Sequence, residues 1–98
     1  MNFDSADVRP FLTRISGRID AGFGEPEIQR VEQLIRSMKV KEERSLEFPI
    51  RFRGEATVLR LQVHLDDTDA PDLFFFTVPR LATLIDEELS KFADERGK

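Results

Sequence analysis

Cysteine, tyrosine and tryptophan are absent from this chain, and histidine occurs once, at His64. Without cysteine there is no disulfide, no thiolate nucleophile and no thiolate metal ligand. A single histidine excludes a three-histidine zinc centre by count. All nine aromatic residues are phenylalanine, which supply apolar area without a phenolic or indole tip to hydrogen-bond. No run approaches the about eighteen apolar residues that a spanning helix needs. The opening stretch MNFDSADVRP carries two acids and no apolar segment of the signal-peptide kind. These absences lead us to expect a cytoplasmic protein with no membrane contact and no cofactor.

What is present is ordinary for a globular chain: 98 residues, 40% of them hydrophobic and 35% charged. That length supports one core, so residues 1–98 are expected to form a single α+β domain with frayed ends at 1–7 and 94–98. The net charge of -4 is unevenly spread, since residues 66–98 hold nine acids against four bases. A general nucleic-acid binder is disfavoured by that balance.

The apolar spacing changes along the chain. Val8, Phe11, Leu12, Ile15 and Ile19 recur at helical intervals and predict a helix over 8–20, with Pro10 tolerated in its first turn. Glu25-Pro26-Glu27 opens a second helix with proline and acids where a helix start favours them, followed by the stripe Ile28, Val31, Leu34, Ile35 and Met38. From Leu46 the period becomes two. Leu46, Phe48, Ile50 and Phe52 alternate with polar residues, then Leu59, Leu61, Val63 and Leu65 do the same, which predicts a hairpin. Placing its two-residue turn at Gly54-Glu55 pairs Phe52 with Thr57, Ile50 with Leu59 and Phe48 with Leu61, and gathers the apolar residues on one face. Pro49 lacks an N–H and marks the first strand as an edge. LFFFTV (73–78) reads as a third strand, and Leu81, Leu84, Ile85, Leu89 and Phe92 as a third helix. The expected fold is a two-layer α+β domain, a three-stranded antiparallel meander with helices in the order α-α-β-β-β-α.

The same order of helix, three strands and helix occurs in double-stranded RNA-binding domains, which place lysines at the start of the final helix. Here PRLATLIDEEL offers Arg80 and then Asp86, Glu87 and Glu88, so the charge is wrong for that role.

Two features ask for a function. DDTDAPD (66–72) reads as a solvated acidic loop, because aspartate and proline favour turns. An EF-hand frame starting at Asp67 fails, with Pro71, Asp72 and Val78 at the fifth, sixth and twelfth places. A looser carboxylate site or the docking of a basic partner stays open. The second feature is the third strand, apolar on both of its sides. If Phe74, Phe76 and Val78 join the core, Leu73 and Phe75 emerge on the far face. Either the first helix lies across that face, or Leu73, Phe75 and Val58 form a mixed apolar and basic contact surface with Arg51, Arg53 and Arg60.

GFGEPE lacks the spacing and the Lys-Ser/Thr of a phosphate loop, and its glutamates would repel phosphate. His64 as a general base would need an orienting carboxylate, for which Asp66 or Glu47 is placed. The reading that follows is a small non-enzymatic protein-binding module, of inhibitor, immunity or adaptor type. Its expected contact residues are Arg51, Arg53, Arg60, His64, Leu73 and Phe75, with Asp66, Asp67 and Asp69 in the acidic loop, and its partner another protein or a second copy. The alternatives are weak nucleic-acid binding by the sheet-face arginines, with bases stacked on Phe75, and a small enzyme dependent on His64 or on a carboxylate-bound metal.

Overall fold

The computed structural model describes residues 3–67 and 70–97, with the side chain of Asp67 left aside. Three helices and three strands follow in the order α1 (Ser5–Ser16), α2 (Glu25–Ser37), β1 (Glu43–Phe52), β2 (Glu55–Asp67), β3 (Ala70–Phe76) and α3 (Pro79–Arg96). The strands form one antiparallel sheet in the order β1-β2-β3. This is the α+β meander that the hydrophobic periods predict.

α1 starts earlier and ends earlier than its apolar spacing suggests. Residues 3–7, expected to be frayed, are held by the core: the Phe3 ring lies 5.1 Å from that of Phe11 and 6.4 Å from that of Phe92, and the Phe3 N–H donates to the carbonyl of Pro71 at 2.9 Å. Pro10 therefore falls in the second turn, where its missing N–H costs an intrahelical bond. At the other end Gly17 caps the helix, although Ile19 is still buried. The chain leaves the helix there to run along the edge of β1. The Asp20 N–H bonds the Arg51 carbonyl and the Arg51 N–H bonds the Ala21 carbonyl, each at 2.9 Å, while the Gly54 N–H donates to Asp20 Oδ2 at 2.9 Å. Gly22 makes this approach possible, since its φ is +92° and a Cβ there would stand 2.4 Å from the Pro49 oxygen. Residues 94–96, also expected to be frayed, belong to α3, and Arg96 pairs with Asp7 at 2.5 Å.

α2 begins where proline and acids predict it. The Glu27 carboxylate accepts from the Gly24 N–H at 2.7 Å and satisfies a donor at the helix start. Arg9 of α1 reaches both Glu25 and Glu32 of α2.

The hairpin turn is Arg53-Gly54, one residue earlier than expected. Both have positive φ, 51° and 80°, as a two-residue hairpin turn with the right twist requires. The register becomes Phe52↔Glu55, Ile50↔Thr57, Phe48↔Leu59 and Leu46↔Leu61. The shift is by two residues on the partner strand, so the division of side chains between the two faces is preserved. Phe48, Ile50, Phe52, Leu59, Leu61, Val63, Leu65 and Leu73 are all buried on one face. The helices cover that face alone: Phe11 of α1 meets Phe75 edge-on at 5.8 Å, and Arg30 of α2 lies 5.2 Å over the Phe48 ring. α1 sits among the other helices and does not cross the far side.

Candidate functional site

The far face of the sheet is left bare. Directly opposed residues of an antiparallel ladder point to the same side, so the pairings Arg51↔Ala56, Pro49↔Val58, Glu47↔Arg60, Gln62↔Phe74, Arg60↔Phe76 and His64↔Asp72 define its rows. None of these residues is buried. Three large apolar side chains stand close together on it: Val58, Phe74 and Phe76, with 47%, 42% and 52% of their surfaces exposed.

This corrects the expected orientation of β3. Leu73 is 1% exposed, and Phe75 is half-buried against Phe11. Neither lies on the outer face, and Phe75 offers no ring there for a base to stack on. The alternation along LFFFTV cannot choose a side, because both of its sides are apolar. The neighbouring aspartate can, since Asp72 must face water and carries Phe74 and Phe76 with it at intervals of two. That signal is in the sequence and identifies the missed residues.

The acidic segment also takes a different form. β2 runs to Asp67 and β3 starts at Ala70, with a bulge between Leu65 and Asp67, so most of 66–72 is strand. Leu65↔Pro71 and His64↔Asp72 extend the ladder into it. Pro71 is buried and turns its donor-free nitrogen to the sheet edge. Asp69 and the side chain of Asp67 lie outside the described residues. Among the described residues no group of three or more His, Asp or Glu side chains is placed to hold a metal ion.

The bare face is polar along its length. Near the hairpin turn is Arg51, whose Nη1 donates to the Gly54 carbonyl at 2.8 Å, and at mid-strand, opposite Glu47, is Arg60, which makes no hydrogen bond or ion pair among the described residues. At the opposite end His64 lies between two carboxylates, with Nε2 2.9 Å from Asp66 Oδ1 and Nδ1 3.7 Å from Glu43 Oε2. Glu43 also accepts from the Gln62 amide, and Asp72 stands alongside His64. Glu47, placed at sequence level beside His64, instead faces Arg60. Arg53 leaves the group: from the turn its guanidinium lies 5.2 Å over the ring of Phe52, and it lines a cleft of about 420 Å³ with Thr57, Val78 and Arg80. A second hollow of about 270 Å³ lies between β3 and α3, against Ala82, Ile85 and Leu89. Neither is lined by His64.

No helix is long and apolar enough to cross a membrane among the described residues. Compared with known proteins, the chain matches no family model, no curated protein and no solved structure.

Proposed function

We propose that this chain is a small non-enzymatic protein-binding module, of inhibitor, immunity or adaptor type, whose contact surface is the uncovered face of the sheet. One observation carries the reading. Val58, Phe74 and Phe76 are exposed together on one flat face, while the core takes up most of the other large apolar residues. Full burial of a phenylalanine side chain is worth about 1.5–3 kcal/mol, and with about half of each ring still in water a partner would recover about half of that. Clustered aromatics beside an arginine that makes no hydrogen bond or ion pair among the described residues are the composition of an interface centre. The absence of cysteine suits action in a reducing cytoplasm.

The charge of the face favours a protein over a nucleic acid. Arg51 and Arg60 share it with Glu43, Glu47, Asp66 and Asp72, so a phosphate backbone would meet more carboxylates than guanidiniums. His64 is held between carboxylates on the sheet face, outside both the cleft of about 420 Å³ and the hollow of about 270 Å³.

The test compares wild type with Phe74→Ser plus Phe76→Ser in partner capture. Both rings are solvent-exposed, so the variant is expected to fold and to lose the captured proteins. The same proteins held by both forms would remove the reading. Low-salt binding to a single-stranded oligonucleotide, abolished by Arg60→Glu, would put the nucleic-acid alternative in its place.

A further inference from the structure

Three charged side chains meet at the hairpin end of the sheet, on the side that carries the helices. Phe52 and Ile50 are buried on that side, and Glu55 and Thr57 share it because they stand directly opposite them in the ladder. The start of α3 supplies the facing wall with Val78 and Arg80, and Arg53 of the turn completes it. The cleft enclosed has a volume of about 420 Å³, a size that suits a small molecule.

The polar groups of this cleft are all unengaged. The guanidiniums of Arg53 and Arg80, the Glu55 carboxylate and the Thr57 hydroxyl make no hydrogen bond or ion pair among the described residues. Arg53 only rests over the Phe52 ring, at 5.2 Å. Elsewhere in this acidic chain arginines find carboxylates readily: Arg9, Arg14, Arg18, Arg44 and Arg96 each pair with at least one. Arg53 and Arg80 share a cleft with Glu55 and pair with neither it nor another acid, so both guanidinium forks stay open to a ligand.

We propose that the cleft binds a small organic carboxylate, a singly charged anion on an apolar body. Each part of that ligand answers a part of the cleft. Guanidiniums take carboxylate oxygens through parallel N–H donors, and the Thr57 hydroxyl can donate to the same group. Phe52 and Val78 offer the apolar body a wall, and the volume exceeds what a bare inorganic anion fills. Glu55 sets the charge. Two guanidiniums against one carboxylate leave a single positive charge, which matches a carboxylate ligand and penalises a doubly charged phosphate. The site lies on the other side of the sheet from Phe74 and Phe76, separate from the outer face.

The test is a titration of isotopically labelled protein with phenylacetate at constant ionic strength, followed by amide NMR. Saturable shifts should appear around Phe52, Arg53, Thr57 and Arg80, with a dissociation constant of about 1 mM. Phenylethanol keeps the ring and lacks the charge, and should bind about tenfold or more weakly. Phenyl phosphate should also bind more weakly than phenylacetate. Arg53→Gln and Arg80→Gln should each weaken phenylacetate about fivefold. Glu55→Gln should tighten it, and should strengthen phenyl phosphate by a larger factor. All three native side chains are exposed, so the variants should fold, as the unshifted remainder of the amide spectrum can check.

An absence of shifts in the cleft up to about 20 mM phenylacetate overturns the proposal. So does equal affinity for phenylethanol, or arginine variants that bind as wild type does. Tighter binding of phenyl phosphate than of phenylacetate by wild type would overturn the carboxylate assignment.

Discussion

Adjacent residues of β3 differ sharply in what they contribute. Leu73 is enclosed and Phe76 is half in water, although the sequence presents both as members of one apolar run. Truncating an enclosed leucine removes transfer free energy and leaves a void, so Leu73→Ala should cost about 2–5 kcal/mol. Phe76→Ser removes a ring of which the isolated chain covers only about half, and its cost should stay within about 1.5 kcal/mol. Urea unfolding of dilute protein, where any dimer has dissociated, checks the contrast; similar losses from both would mean that β3 faces the other way. The orientation was legible at this scale, but only from Asp72. The three phenylalanines are uninformative about sides because nothing in their spacing distinguishes one from another.

At the scale of elements, each edge of the sheet meets water differently. Arg51 of β1 turns its N–H and carbonyl outward to the 20–21 segment. By alternation Pro49, Glu47, Ser45 and Glu43 present their backbone to the same edge. Proline removes the donor at one of these positions, and charged or polar side chains guard the others, as unpaired edges require. Hydrogen exchange should therefore alternate along β1. The amides of Leu46, Phe48 and Ile50, directed at β2, should exchange about a hundredfold or more slowly than those of Ser45 and Glu47. Uniform protection from Glu43 to Phe52 would show that something covers the edge. The strand periods and the proline predicted this edge correctly. The end of α1 escaped prediction because Ile15 and Ile19 keep helical spacing across a stretch where the backbone instead leaves to pair with Arg51.

For the whole molecule, a radius of gyration of 13.0 Å is that of a compact domain of this length. The layer of helices is held by charge as well as by packing. Glu88 of α3 is buried and accepts from Arg14 Nε at 3.0 Å and from Arg18 Nη2 at 3.0 Å, tying α3 to the end of α1 and the turn after it. Burial pushes the Glu88 carboxyl up, but the bonds from Arg18 and Arg14 outweigh it and leave the carboxyl below its ordinary 4.5. A carboxyl lowered on folding adds stability above its unfolded value and loses it as pH falls through the lower folded value. Wild type should thus lose this contribution below about pH 4.5. Glu88→Gln should be about 1–3 kcal/mol less stable at pH 7, with the gap closing in acid. A gap that persists unchanged at pH 3 would show that the carboxylate's charge is not what stabilises this contact.

The sequence by itself determined the number, order and type of the elements, the paired faces of the hairpin and the edge at Pro49. Those follow from hydrophobic period and backbone chemistry, which act between residues close along the chain. Only the tertiary structure decided that all three helices share one side of the sheet and leave Phe74, Phe76 and Val58 uncovered. The stripe of α1 fits either face of such a sheet. What chose between them were contacts between distant segments: Phe3 and Phe11 with Phe92, Arg14 and Arg18 with Glu88, and Asp20 with the β1 edge.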